Sequence, residues 1–212
     1  VNEVDLEKVS HSILPELNDI NTPWLKIIES ADDLRSAVVQ MRRKSFGPAL
    51  VAVSEDARLS DYEDALDVHY FKSALDSLKG KGADIRFLKD LLGAEIDHRN
   101  LLNILEAEAV GISSDEIVSM LVPGGRILPA RAFSSIAAGG KDAAMDLLRG
   151  SSRFDFPAFE GALSASREMN SLDPVVTWFK EREHAIMKRM SFLHPVSALP
   201  VVHYVAMKVQ EV

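Results

Sequence analysis

Along most of the chain, apolar residues recur at intervals of three and four with charged residues between them, the spacing of one buried face on a helix. Leu34, Ala37, Val38 and Met41 make such a stripe, with Ser30-Ala-Asp-Asp33 resembling a capping box ahead of it and Gly47-Pro48 as its stop. Ser60-Asp-Tyr-Glu63 reads as a second box, opening a helix with Tyr62, Leu66, Tyr70, Ala74 and Leu78 at spacing four and a stop at Gly80. A long helix is predicted from about 84 to 109, ending before Gly111. Ser113-Ser-Asp-Glu116 caps a short helix that Pro123-Gly124-Gly125 ends, and further helices are predicted near 141–149 and over 174–192. Pro129 and Pro174 fit first helical turns, where the N–H they lack would have no intrahelical partner. Only GPALVAVSE, residues 47–55, carries a weak strand signal, because Val51 and Val53 are β-branched and alternate with smaller residues. One such segment makes no sheet, so the predicted class is all-α.

The long helix holds an anomaly. Leu88, Leu92, Ile96, Asn100 and Ile104 form one i, i+4 row, so an amide is placed among leucines and isoleucines, with Asp97 one turn before it. A buried amide must find hydrogen-bond partners. Either Asp97 and Asn100 belong to a catalytic or metal site, or they pin the helix to a neighbour, or a local rotation leaves both at the solvent boundary.

A repeat is also visible. YEDALD at 62–67 and FEGALS at 159–164 each follow an acidic, turn-prone lead-in and open a helix that is followed by a break and a longer helix, at an offset of 97 residues. A solenoid of the usual kind repeats at about 33 to 47 residues, which counts against a helical-repeat adaptor, the alternative class.

Composition and charge then remove function classes. The chain has 212 residues, 47% hydrophobic and 26% charged, as in ordinary globular domains, with no apolar run near the roughly 18 to 20 residues that span a bilayer. It begins at Val1 and ends at Val212 inside an apolar-periodic segment, so an excerpt of a longer protein is expected. A net charge of −8 argues against a nucleic-acid partner, and Arg42-Arg43-Lys44 and Lys79 with Lys81 read as solvated helix ends. Zero cysteines exclude disulfides and thiolate chemistry and fit a reducing compartment. AAGGKDAAM misses two fixed positions of the phosphate-binding loop, with Ser135 where Gly belongs and Asp142 where Ser or Thr belongs, leaving a helix break with a solvated lysine. VPGGRILP lacks a preceding strand. No histidine is followed by aspartate, and Glu95 with His98 is a single E-x-x-H without a second, so His98 is expected on an exposed helix face. No catalytic, cofactor-binding or metal-binding residue is therefore assigned, and no cofactor is expected.

Residues 95–128, EIDHRNLLNILEAEAVGISSDEIVSMLVPGGRIL, resemble the signature of the V-type and archaeal-type ATPase family that comprises the prokaryotic C subunits and the eukaryotic d subunits. That signature is an acidic-Ile-Asp-x-x-Asn helix, a Gly, a short helix and a Gly-Gly turn. KSFGPAL at 44–50, YEDALDVHYFKSAL at 62–75 through Glu63, Leu66, Asp67, Tyr70 and Phe71, and HPVSALPVVHYVAMKVQEV at 194–212 through Pro195, Ser197, Val201, Tyr204, Lys208 and Glu211 are similar to further family blocks in the same order. The chain departs from the pattern at Glu106, where the family usually has Arg, and at Val209, where it has Glu.

The resemblance implies tandem similar helical modules, three around a pseudo-threefold axis forming a funnel in the full-length family, with most of the first missing here. Residues 1–58 would be the remainder of that first module and a connection, 59–150 the second, and 151–212 the third, truncated at its last helix. It also implies a non-catalytic part of the central stalk, cytoplasmic and peripheral at the membrane, coupling the shaft of the catalytic head to the proteolipid ring in proton or sodium transport. Asp97, Asn100, Tyr70, Pro195, Tyr204, Lys208 and Glu211 are then family-signature residues of structural role. The turns carrying Arg126 and Lys141 are the candidate interfaces, because loops at module ends carry contacts more often than helix bodies.

Overall fold

The structure is a computed structural model that describes residues 26–27 and 30–193. Pro195, Tyr204, Lys208 and Glu211 lie outside the described residues. Within them the chain is all-α: α1 (Leu34–Met41), α2 (Gly47–Val51), α3 (Leu59–Ser77), α4 (Ala83–Val110), α5 (Ser114–Ser119), a 3-10 turn (Ala130–Ala132), α6 (Phe133–Arg149), α7 (Phe156–Met169) and α8 (Asp173–Leu193). Two compact units divide between Tyr70 and Phe71, inside α3.

In the first unit, α1 is capped by Asp33, whose carboxylate accepts the Ser36 N–H at 2.7 Å while Ser36 Oγ accepts the Asp33 N–H at 3.1 Å. The capping box is thus Asp33–Ser36 and not Ser30–Asp33, since a cap must stand immediately before the first helical residue, here Leu34. The strand signal at 47–55 also fails. Gly47–Val51 is a short helix with Pro48 in its first turn, and Ala52 and Val53 N–H groups bond back to Pro48 and Leu50 carbonyls. A strand would need a partner ladder for those groups, and the local turn satisfies them without one. Leu50 then packs with Val38 and Tyr62 in a small core flanked by Met41 and Phe46.

The second capping box is corrected too. Helix α3 begins at Leu59, so Ser60 is helical, and it is Asp61 that reaches back to accept the Arg58 N–H at 2.7 Å. Along its spacing-four row, Tyr62 is buried but Leu66 is 36% and Tyr70 59% exposed.

In the second unit, α4 is the spine. It runs 28 residues from a Gly82 cap to Gly111, which closes it in the left-handed conformation. Ser113 and Glu116 form the expected reciprocal box at the start of α5, which ends at Ser119, ahead of Pro123. Helix α6 starts earlier than 141 and is interrupted at Gly140, whose φ of 54° and ψ of −138° are not helical. Asp155 caps α7, Asn170 ends it at φ 50°, and α8 follows with Pro174 in its first turn. The core draws Leu101 and Ile104 from α4, Ile136 and Leu148 from α6, Phe159 from α7 and Val175 from α8, each with 0% exposure. Trp178 and Phe179 of α8 meet Phe159 at ring-centroid distances of 5.2 and 5.7 Å.

Candidate functional site

Helix α4 carries three polar residues at spacing three, Asp97, Asn100 and Asn103, and each bonds the backbone of the segment that follows α5. Asp97 is 1% exposed; one carboxylate oxygen accepts the N–H groups of Arg126 and Ile127 at 2.8 and 2.9 Å, and the other accepts that of Leu128 at 2.8 Å. Asn100 is 0% exposed and reads the Val122 residue from both sides, donating to its carbonyl at 2.9 Å and accepting its N–H at 2.7 Å. Asn103 Nδ2 donates to the Met120 carbonyl at 3.0 Å. The solvent-boundary alternative is excluded. The partners of Asp97 and Asn100 are backbone groups of the neighbouring segment, which the interior would otherwise leave with few options.

The glycines of this segment belong to the same device. Gly124 has a φ of 120°, which side-chain-bearing residues rarely adopt, and a Cβ there would also press on Leu75 and Ile96. At Gly125 a Cβ would collide with Asp97 Oδ1. The pair is therefore required by the close approach of loop to helix. Burial pushes the Asp97 carboxyl above the usual carboxylate range, against the pull of its three N–H donors and of nearby His98.

Sequence reasoning missed a second polar cluster. His98 is not on an exposed face: its side chain is 12% exposed, its Nδ1 lies 2.5 Å from Glu183 Oε1 on α8, and its ring stacks on Phe179 at 4.1 Å. The reason is that α8 lies against this part of α4, which no local spacing announces. Glu95 stands one turn before His98 and is half-buried, its carboxyl pushed up to about 7 by burial and then by the Glu183 carboxylate.

The two interface candidates are already engaged within the chain. Arg126 is 3.5 Å from Asp90, and Lys141 pairs with Glu108, so Lys141 is not the freely solvated lysine expected. Lys141 lines a cavity of about 610 Å³ together with Leu105, Met145 and Leu163, and the buried Ser166 hydroxyl in its wall has no hydrogen-bond partner among the described residues. Among the described residues, no group of His, Asp or Glu is arranged to hold a metal ion, and no helix is long and apolar enough to cross a membrane.

Similarity to known proteins extends well beyond this helix. The chain is 32% identical over 159 residues to the A-type ATP synthase C subunit of Archaeoglobus fulgidus, covering 75% of this chain and 43% of that protein. It is 22% identical over 209 residues to the protein of the same name from Methanococcoides burtonii, covering 98% and 57%, and 26% identical over 189 residues to that of Haloferax volcanii, covering 86% and 52%. The chain thus spans about half the length of the curated relatives it matches. No solved structure matches it. The family described as ATP synthase (C/AC39) subunit matches residues 2–212, nearly every residue given, and the chain belongs to that family.

Proposed function

We propose that the protein is a non-catalytic rotor component of the central stalk of an A/V-type ATP synthase, holding the shaft of the catalytic head to the membrane proteolipid ring. The observation that carries the reading is the family match over residues 2–212. The construction of α4 supports it, because a part that transmits torque needs helices that cannot slip in register. A slip at Asn100 would strand both backbone groups of Val122, at a cost of about 1 to 3 kcal/mol for each buried group. The protein would sit on the cytoplasmic side, peripheral to the membrane, without a span of its own.

In this reading the α3–α4 and α7–α8 pairs are the repeated element of the modules at 59–150 and 151–212. Helices α4, α6, α7 and α8 feed one core, so a module here is a repeated helix pair and not a body that folds alone. The candidate contacts are Arg126 and Lys141, the latter beside the cavity between α4, α6 and α7.

Co-purification tests the proposal. The full-length protein should retain both the shaft and the proteolipid ring, and Arg126→Glu with Lys141→Glu should weaken at least one of the two while helicity is unchanged. Retention of neither partner by a folded wild-type protein would overturn the rotor reading and favour the helical adaptor. Retention of both by the double variant would remove Arg126 and Lys141 from the interface.

A further inference from the structure

Between α4, α6 and α7 the core does not close. A cavity of about 610 Å³ lies there, within the size range of pockets that hold small organic molecules. Leu105 of α4, Met145 of α6, and Phe156 and Leu163 of α7 line it, and all four belong to the buried core. Protein interiors are close-packed, so core side chains that border a space this large lack neighbours on that side.

Ser166 is the polar exception on the buried face of α7. Phe156, Phe159, Leu163 and Ser166 are the buried residues of that helix, and the first three are apolar. A serine inside a helix can bond a carbonyl one turn back, as Ser164 does by donating to the Glu160 carbonyl at 3.0 Å. The Ser166 hydroxyl is shielded from solvent and makes neither that bond nor any other among the described residues. Native proteins seldom leave a buried hydroxyl unpartnered, because its lost hydration is then not replaced. Rotation about its one side-chain torsion turns the hydroxyl toward the cavity that Ser166 lines, where it offers one donor and two acceptor lone pairs.

The charged residues around the cavity narrow the ligand. Lys141 pairs with Glu108, and Arg149 with Asp146. What remains in the lining is Arg167 against Asp142 and Glu160, all three exposed. An anion therefore finds no excess of positive charge, and a cation finds a single exposed carboxylate in excess, which water and salt screen.

We propose that this cavity binds an uncharged, largely apolar small molecule of about two to four fused rings, whose one hydroxyl or carbonyl bonds Ser166. The apolar body gives Leu105, Met145, Phe156 and Leu163 the contacts they lack, and the polar group gives Ser166 its partner. Water bonds the hydroxyl but leaves the apolar walls wet, so it meets half of the requirement.

Two probes that differ by a hydroxyl, 2-naphthol and naphthalene, test this on the full chain near neutral pH. Followed by the methyl resonances of Leu105, Met145 and Leu163, 2-naphthol should bind saturably and shift all three residues. Ser166→Ala should weaken 2-naphthol on the order of tenfold and leave naphthalene within about twofold of its wild-type affinity. The same variant should melt no lower than wild type, because the hydroxyl it removes has no bond to lose. Absence of 2-naphthol binding, shifts confined to residues away from the cavity, or an equal effect of Ser166→Ala on both probes would overturn the proposal. A lower melting temperature of Ser166→Ala would show that the hydroxyl already has a partner, and overturns it equally.

Discussion

Asp97 and Glu95 stand two residues apart on α4, and their carboxyls are met in different ways. Asp97 is 1% exposed and accepts three N–H groups from Arg126, Ile127 and Leu128. Glu95 is less buried, yet the group that acts on it is another carboxylate, Glu183. Asn100 and His98 repeat the contrast: Asn100 is matched by both backbone polar groups of one residue, whereas His98 is matched by a single ionisable side chain. Backbone partners do not titrate, so the Asn100 joint is independent of pH, while the Asp97 joint depends only on the ionisation of Asp97 itself. Side-chain partners titrate and can swing, so the contact they make is conditional. One helix thus carries a joint matched by backbone groups and another matched by an ionisable side chain.

Removing the joint matched by backbone groups should have the largest effect. Asp97→Ala leaves three N–H groups near or in the interior without their acceptor, and urea denaturation should show a loss of about 3 to 5 kcal/mol. A loss under about 1 kcal/mol would mean that the loop finds other acceptors and that Asp97 is no pin. Asn100→Ala, which strands one donor and one acceptor of Val122, should cost about 1 to 3 kcal/mol, and a value under about 0.5 would place it with surface residues.

The Glu95 carboxyl should respond in the opposite sense. The native Glu95 carboxyl titrates near 7 and the unfolded one near 4.5, so wild-type stability contributed by this group is present below about pH 4.5 and lost as pH rises through about 7. Glu95→Gln should therefore match wild type near pH 4 and exceed it at pH 8 by about 1 to 2 kcal/mol, discounted from the full shift because the side chain is partly solvated. Thermal unfolding at the two pH values checks this, and a difference that is the same at both would detach the effect from ionisation. The smallest effect concerns the departure from the family pattern at 106. Glu106 is exposed on α4, so Glu106→Arg should change stability by less than about 0.5 kcal/mol, and a larger change would reveal a contact that its exposure does not show.

Much of this was legible in the residues alone. Gly111 as the end of α4, the Ser113–Glu116 box and Pro174 in the first turn of α8 all stand as read. The i, i+4 row placed Asn100 inside the molecule, where it is 0% exposed. The misreadings share a cause. The box before α1 is displaced by three residues, Ser60 lies inside α3, and 47–51 is helical, because several short polar residues can serve as caps and a five-residue apolar run suits a helix turn or a strand equally. His98 was placed in solvent because its partners, Phe179 and Glu183, lie more than 80 residues further along the chain.

The sequence by itself determined where helices stop and which face of α4 is buried, because caps, breaks and apolar stripes act within about four residues of themselves. Tertiary structure alone decided what each buried polar group answers to. Whether Asp97 and Asn100 meet a loop backbone or a metal, and whether Glu95 meets a base or another acid, depends on which distant segment packs there, and helical spacing carries no trace of that segment.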